Sequence, residues 1–364
     1  MSITAAQFAI LGISAFALTG LLTWPVRALA IRLGAMDAPN LARKTQTEPV
    51  PYLGGAAIAL GISIITLGAV FVGAENFVGE NNEQVKDLAL TVLLPALVLG
   101  AMGLFDDLRS LSPWPRLITQ TVIGTVVAFV IVDNGTIGTA FGGGDLGSDA
   151  GSASGSWLNT LVTIVWIVGV CNSINFFDNL DGAASGAVAI AALGVFVIAF
   201  DRGQELVSAL SIVTAGATIG FLLWNKSPAK IYMGDAGALF LGIIISVATI
   251  RLNPGITPTW HSLAIPVMLL AVPLLDTCVA VFSRLARGLS PLTGGKDHLS
   301  HRLVRGGLIR PQAAISLWSA SGVCALFALA VYFFADSFGT LLIGSFAVLW
   351  VVALVLFLRT PSQD

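Results

Sequence analysis

The sequence predicts an all-α fold: a polytopic transmembrane helical bundle of about eleven spans, one domain over residues 1–364. Three observations carry that expectation. Of the 364 residues, 56% are hydrophobic and only 10% are charged, against roughly 25% in a chain whose surface faces water. The apolar residues gather into runs near the roughly 20 residues a spanning helix needs. Fifteen of the eighteen Lys and Arg residues fall in alternate connections between those runs or on the tail after the last. These features exclude a cytosolic enzyme, a secreted domain, a fibrous protein and a disordered segment. No nucleic-acid partner is expected.

The runs are 5–23, 52–72, 88–104, 117–132, 157–171, 183–200, 205–224, 236–250, 261–283, 312–334 and 337–358, the fifth and eighth being short. No basic stretch precedes the first run and no clear cleavage site follows it, so it is expected to remain as a span. Lys and Arg mark the cytoplasmic side. The odd connections and the tail hold Arg27, Arg32, Arg43, Lys44, Arg109, Arg116, Lys226, Lys230, Arg284, Arg287, Lys296, Arg302, Arg305, Arg310 and Arg359. The even ones hold only Lys86, Arg202 and Arg251. The N-terminus is therefore expected outside and the C-terminus in the cytoplasm. Residues 133–156, rich in Gly and Ser, read as a flexible connector. There is no internal repeat, and Cys171, Cys278 and Cys324 read as buried free thiols.

Ionisable groups near a bilayer point to function, and five places stand out. The third span ends in Asp106-Asp107, adjacent carboxylates that need a nearby cation or a raised pKa; Arg109 is the obvious counter-charge. The fifth connection spaces Asn172, Asn175, Asp178 and Asp181 by three residues. In a helix they would share one face, without a Lys or Arg among them. Next, Gly234 and Gly237 flank Asp235 at the start of the eighth span, where Asp235 would serve as an N-cap or the helix end would favour an anion. The ninth connection carries His298, His301, Arg302 and Arg305, a set suited to phosphate. Lastly, Arg43-Lys44 precedes a bent Pro49-to-Gly55 entry into span two. Carboxylates for a metal beside cations for phosphates suggest phosphoryl chemistry on a charged donor. Two other acid or base positions carry no such weight: Asp276 reads as a polar residue lining the bundle, and His261 lies isolated on an outer loop with no role.

These motifs resemble the polyprenyl-phosphate N-acetylhexosamine-1-phosphate transferases. The resemblance runs from about residue 37 to 310. It rests on Arg43-Lys44 with Pro49-x-Pro51-x-x-Gly54-Gly55, Phe105-Asp106-Asp107, Asn172-Ser-Ile-Asn175-Phe-Phe-Asp178-Asn-Leu-Asp181-Gly182, Met233-Gly234-Asp235-Ala-Gly237 and Asp297-His298-Leu-Ser-His301-Arg302, in that order. It implies transfer of a sugar 1-phosphate, GlcNAc-1-phosphate above all, from a UDP-sugar to a polyprenyl phosphate such as undecaprenyl phosphate, with release of UMP. Magnesium or manganese is implied as cofactor. By the same resemblance Asp235 holds the metal, with Asp181 beside it, and Asp106 and Asp107 form the catalytic pair. Asn172, Asn175, Asp178 and Asp181 line the substrate site, Asn225 contacts the nucleotide and Tyr232 stacks on uracil. His298, His301 and Arg302 grip the diphosphate or sugar, and Lys44 lies near the acceptor phosphate.

The implied setting is the bacterial cytoplasmic membrane, with the site facing the cytoplasm, lipid around the bundle and room for a homodimer. The phospho-MurNAc-pentapeptide translocase is the alternative within the same chemistry. It usually shows consecutive histidines where this chain has Asp-His-Leu-Ser-His-Arg, which favours the N-acetylglucosamine branch. An ion-coupled transporter is the alternative of another class. It predicts acids near mid-span and repeat symmetry, whereas most acids here sit at span ends.

Overall fold

The computed structural model describes residues 3–37, 49–71, 82–109, 111–133 and 153–360. The helices in chain order are α1 (Ala5–Arg32), α2 (Gly54–Phe71), α3 (Asn82–Arg109), α4 (Pro113–Asp133), α5 (Ala153–Phe177), α6 (Ala183–Asp201), α7 (Glu205–Asn225), α8 (Gly234–Arg251), α9 (Thr259–Leu269), α10 (Ala271–Ala286), α11 (Leu299–Arg305), α12 (Arg310–Phe333) and α13 (Ala335–Arg359). Between α1 and α2 two short strands, β1 (Met36–Asp37) and β2 (Val50–Pro51), pair antiparallel. Among the described residues, nine helices are long and apolar enough to cross a membrane; α9 and α10, bent by 74° at their junction, make a tenth if taken as one span. The chain is a multi-pass membrane protein. Every expected run falls on a helix, and α4, which covers 117–132, is not among the nine. The ninth run divides because Pro273 has no N–H to give the Leu269 carbonyl one turn earlier.

Helix α8 is the axis. Every residue from Ala236 to Ile250 is buried, and α2, α3, α5, α6 and α7 all pack on it. In lipid no hydrophobic drive pulls helices together, so contact depends on small residues that let backbones touch. Gly103 of α3 lies against the backbone of Asp235 and Ala236, and Gly55 of α2 lies against Gly237. Gly242 faces Cys171 of α5, while Gly216 and Gly220 of α7 seat on the backbone of α1 at Gly12 and Phe16. Helix α13 is outermost: only Gly339 and Phe346 along it are buried.

The same end of the bundle is laced by its connections. Tyr232 donates its N–H to the Pro51 carbonyl at 2.8 Å, and Gly54 and Gly55 donate theirs to Tyr232 and Met233 at 2.9 and 2.8 Å. The bent entry into α2 therefore runs alongside the approach to α8. Its Pro residues fix the bend and its glycines admit the neighbouring backbone. His261, expected on an outer loop, is instead 2% exposed in the first turn of α9, with Nε2 3.1 Å from Thr340 Oγ1. Its ring packs on Gly339, so it joins α9 to α13.

A Cβ at Gly103 would lie well inside contact distance of the Asp235 backbone. Gly103→Ala is expected to cost about 1–3 kcal/mol, read as a lower melting temperature in detergent. Gly169→Ala, where a Cβ meets nothing within 4 Å, should leave the melting temperature unchanged or slightly raised.

Candidate active site

Four helix ends meet where α8 begins. Gly234, at φ +71°, turns the chain into the helix. The first free amides of α8 then meet the carboxylate of Asp107 from α3. Asp235 N–H donates to Asp107 Oδ1 at 2.9 Å and Ala236 N–H to Oδ2 at 3.1 Å. Asp235 was expected to cap this helix with its own side chain. The cap comes from another helix instead, which leaves the Asp235 carboxylate free to turn outward.

That carboxylate is held at both oxygens. Asn175 Nδ2 of α5 donates to Oδ1 at 2.8 Å. Oδ2 takes an ion pair from Arg116 Nη1, at the start of α4. The same Nη1 lies 3.0 Å from Asp106 Oδ2, and Asp106 Oδ1 accepts the Leu111 N–H at 2.6 Å. The Asp106–Asp107 pair thus divides its work: Asp107 faces the helix end, and Asp106 faces Arg116 and Asp235. The counter-charge is Arg116, not Arg109, whose guanidinium lies over the Phe105 ring.

The row from Asn172 to Asp181 splits, because α5 ends at Phe177. Asn172 Nδ2 donates to Gln120 Oε1 at 2.5 Å and to the Val168 carbonyl at 2.7 Å. Asp178 and Asp181 lie in the turn that follows. Burial, with the carboxylates of Asp235 and Asp181 nearby, pushes Asp178 up to about 7. Asp181 Oδ2 accepts the Ala229 N–H at 3.1 Å. Asp181 was expected beside Asp235 as a metal ligand; the carboxylate that shares a partner with Asp235 is that of Asp106.

Other expected contacts turn out to brace the loops. Asn225, 1% exposed, accepts from Gly182 N–H and Ser185 Oγ at 3.1 and 2.9 Å and donates to the Ile231 carbonyl at 3.0 Å. This ties the 178–182 turn to the 226–233 connection. The Tyr232 ring is partly exposed, and burial, then Asp181 and Asp37, raises its phenol. Lys44 lies outside the described residues.

The ninth connection is built on buried charge. Asp276, fully buried on α10, accepts from Leu299 N–H at 2.6 Å and lies 2.7 Å from His298 Nδ1. Arg284 reaches His298 Nε2 at 3.3 Å, Asp297 Oδ2 at 3.2 Å and the Pro291 carbonyl at 2.8 Å. Arg302 was expected to grip a phosphate. Its guanidinium, 2% exposed, donates to the carbonyls of Asp297, Phe357 and Thr360 and to Ser283 Oγ, which uses four of its five donors. His301 differs. Its Nδ1, and Nε and Nη2 of Arg305, are buried without a hydrogen-bond partner among the described residues. Burial, helped by His298, Arg305 and Lys296, lowers His301 to about 4, so it is neutral at pH 7.

The implied divalent cation can be tested against this donor set. Magnesium takes one or two carboxylates and completes its shell with phosphate oxygens and water. Asp106 Oδ2 and Asp235 Oδ2 converge on a single cationic group. No cluster of three or more His, Cys, Asp or Glu placed to hold a metal exists among the described residues. The donors fit a two-carboxylate magnesium site that relies on substrate oxygens. Arg116 and Asp276 are among the residues the motifs did not mark. Arg116 had counted only toward topology and Asp276 only as bundle lining; the surplus carboxylates around Asp235 were the one signal for Arg116.

The sequence profile of glycosyl transferase family 4 matches residues 89–253, which hold Asp106, Asp107, Asn175 and Asp235. A protein of Bacillus subtilis named as a probable undecaprenyl-phosphate N-acetylglucosaminyl 1-phosphate transferase is 33% identical over 302 residues, covering 83% of this chain and 78% of that one. The chain belongs to glycosyl transferase family 4. It is a membrane transferase. The decaprenyl-phosphate N-acetylglucosaminephosphotransferase of Mycolicibacterium smegmatis is 30% identical over 380 residues, covering 97% of this chain and 89% of that one. A phospho-N-acetylmuramoyl-pentapeptide-transferase of Streptococcus thermophilus is 31% identical over 215 residues, covering 56% and 59%. Membership in the family thus spans both branches named from the motifs.

Asp107→Ala leaves two part-buried amides at the head of α8 unpaired and is expected to cost about 1–3 kcal/mol; calorimetry in detergent measures it. The raised Asp178 carboxyl favours the folded state in its protonated form. That contribution is complete below the unfolded value of about 3.9 and disappears as pH climbs through about 7. In metal-free buffer, Asp178→Asn should therefore match the parent near pH 4 and melt at a higher temperature than the parent at pH 8.

Proposed function

We propose that this chain transfers GlcNAc-1-phosphate from UDP-GlcNAc to undecaprenyl phosphate, forming the polyprenyl-diphosphate sugar and UMP, at the cytoplasmic face of a bacterial inner membrane. One observation supports it above the others. Asp106 and Asp235, from two helices, meet at Arg116 with Asn175 of a third holding Asp235, at the end of a membrane bundle, in a chain whose long matches bear polyprenyl-phosphate N-acetylglucosamine-phosphate transferase names. The orientation rests on the concentration of Lys and Arg in the connections at this end.

The acceptor, a phosphate monoester with a second pKa near 6, is mostly a dianion at pH 7. Its oxygen attacks the donor β-phosphorus directly. A new phosphorus–oxygen bond forms, the bridge to the α-phosphorus breaks, and UMP carries away the electron pair. A bound magnesium or manganese ion would neutralise charge on the diphosphate. Within the chain, Asn175 orients Asp235 and Asp106 turns an oxygen toward the same point, while Asp107 keeps α8 in register below them. His301 and Arg305, with unpartnered buried nitrogens, supply donors for phosphate or sugar oxygens. Both oxygens of Asp107 bind backbone amides, so a covalent route through the Asp106–Asp107 pair would fall to Asp106.

The peptidoglycan reading is weaker, since the pentapeptide-transferase match covers 56% of this chain and the ninth connection lacks consecutive histidines. Purified protein with UDP-GlcNAc, undecaprenyl phosphate and magnesium is expected to release UMP. Asp235→Asn should lower that rate by about 10²–10³ while the protein still inserts and melts as a folded bundle. UMP release with UDP-MurNAc-pentapeptide and not with UDP-GlcNAc would transfer the assignment to the other branch. No UMP with any UDP-N-acetylhexosamine would end it.

A further inference from the structure

Beside the Asp107 cap, the carboxylates of Asp106 and Asp235 each have one oxygen fixed by a neutral donor. Asp235 Oδ1 is held by Asn175 Nδ2 at 2.8 Å and Asp106 Oδ1 by the Leu111 amide at 2.6 Å. The second oxygens, Oδ2 of both residues, point at one nitrogen, Nη1 of Arg116. They are the oxygens of the two carboxylates that no neutral donor holds, and an arginine already has them. Arg116 is placed there by the first turn of α4, entered through Pro113 and Pro115, and its side chain is 23% exposed, so solvent reaches it. The guanidinium is permanently charged and cannot leave by losing a proton. A divalent cation gains these two oxygens only by displacing it.

We infer that Arg116 is a positioning residue that competes with the divalent cation for Asp106 and Asp235, and so links metal binding to arrival of an anionic donor. This rests on the reading of Asp235 as a metal-binding residue. Without a donor, the guanidinium holds both carboxylates in their working geometry, prevents their mutual repulsion and keeps metal affinity low. Once displaced, it needs another anion, and the diphosphate entering with the metal is the nearest source. Metal and donor therefore bind with positive coupling, and by linkage each raises affinity for the other equally. A brace with only a structural role predicts the opposite sign, because its removal disorders the carboxylates and weakens metal binding.

The test is Mn2+ binding to the full-length protein in detergent, followed by electron paramagnetic resonance, with and without UDP-GlcNAc and without acceptor. Arg116→Gln is expected to bind Mn2+ alone about 10-fold tighter than the parent, within the range usual for coupled sites. It should also lose most of the tightening that UDP-GlcNAc gives the parent. Arg116→Lys, which keeps the charge, should stay close to the parent and guards against a folding defect in the Gln variant. Equal or weaker Mn2+ binding by folded Arg116→Gln overturns the inference while leaving the metal assignment standing. Parental Mn2+ binding that survives Asp235→Asn unchanged overturns the metal assignment and this inference with it. UMP release by the parent is measured separately, so neither result is confused with failure of the transferase reading.

Discussion

The arrangement depends on the two hydrogen bonds that Asp107 makes to the first amides of α8. A helix leaves its opening N–H groups unpaired, and in a bundle immersed in lipid such groups are costly. Supplying the acceptor from α3 joins the bundle's central helix to its neighbour at the site end. The join needs the backbones to be close, and Gly103, one turn before Asp107, makes that approach possible. With the cap provided from outside, Asp235 has no capping duty, so its carboxylate can turn toward Asn175 and Arg116. Packing, capping and site geometry are one constraint seen at three scales.

Much of this was legible in the residues. The runs were, because lipid demands both length and apolarity and few other environments do. The acids at 106, 107 and 235 and the Asn175 amide were, because unneutralised polar groups at span ends need a reason to be there. Partner identity was not. Asp107, Asn225 and Arg302 look like residues that bind ligands, yet each bonds backbone from a distant part of the chain. A sequence shows which donors and acceptors exist and not which are already satisfied. Arg116 was overlooked for the converse reason: a basic residue after a span has a ready explanation in membrane topology. The regular spacing from Asn172 to Asp181 implied one face, but Gly182, at φ +75°, and the end of α5 at Phe177 break that face in two.

The ninth connection shows how buried charge can shape a loop. Arg284 and Asp297 are each 3% exposed, and an unpaired charge at such burial would cost several kcal/mol. Here Asp276, His298, Arg284, Asp297 and Arg287 satisfy one another, which fixes the loop's shape more than it adds stability. Ser300 bonds Asn179, so the loop is also joined to the turn after α5. Arg302 extends the same network to the last carbonyls of α13. The network leaves His301 and Arg305 on a rigid base with nitrogens still to be engaged.

The plug at the head of α8 also decides how phosphate has to be recognised. In many nucleotide-binding folds the bare start of a helix cradles phosphate with main-chain amides, a sink that is insensitive to which side chains surround it. This helix has the Asp107 carboxyl group seated there, with both of its oxygens on the opening amides. Incoming phosphate must be met by side chains and by ions drawn from solution instead: guanidinium charge, with neutral imidazole as a hydrogen-bonding partner. Such a site is selective through its ionic surroundings, and its grip loosens as salt screens them.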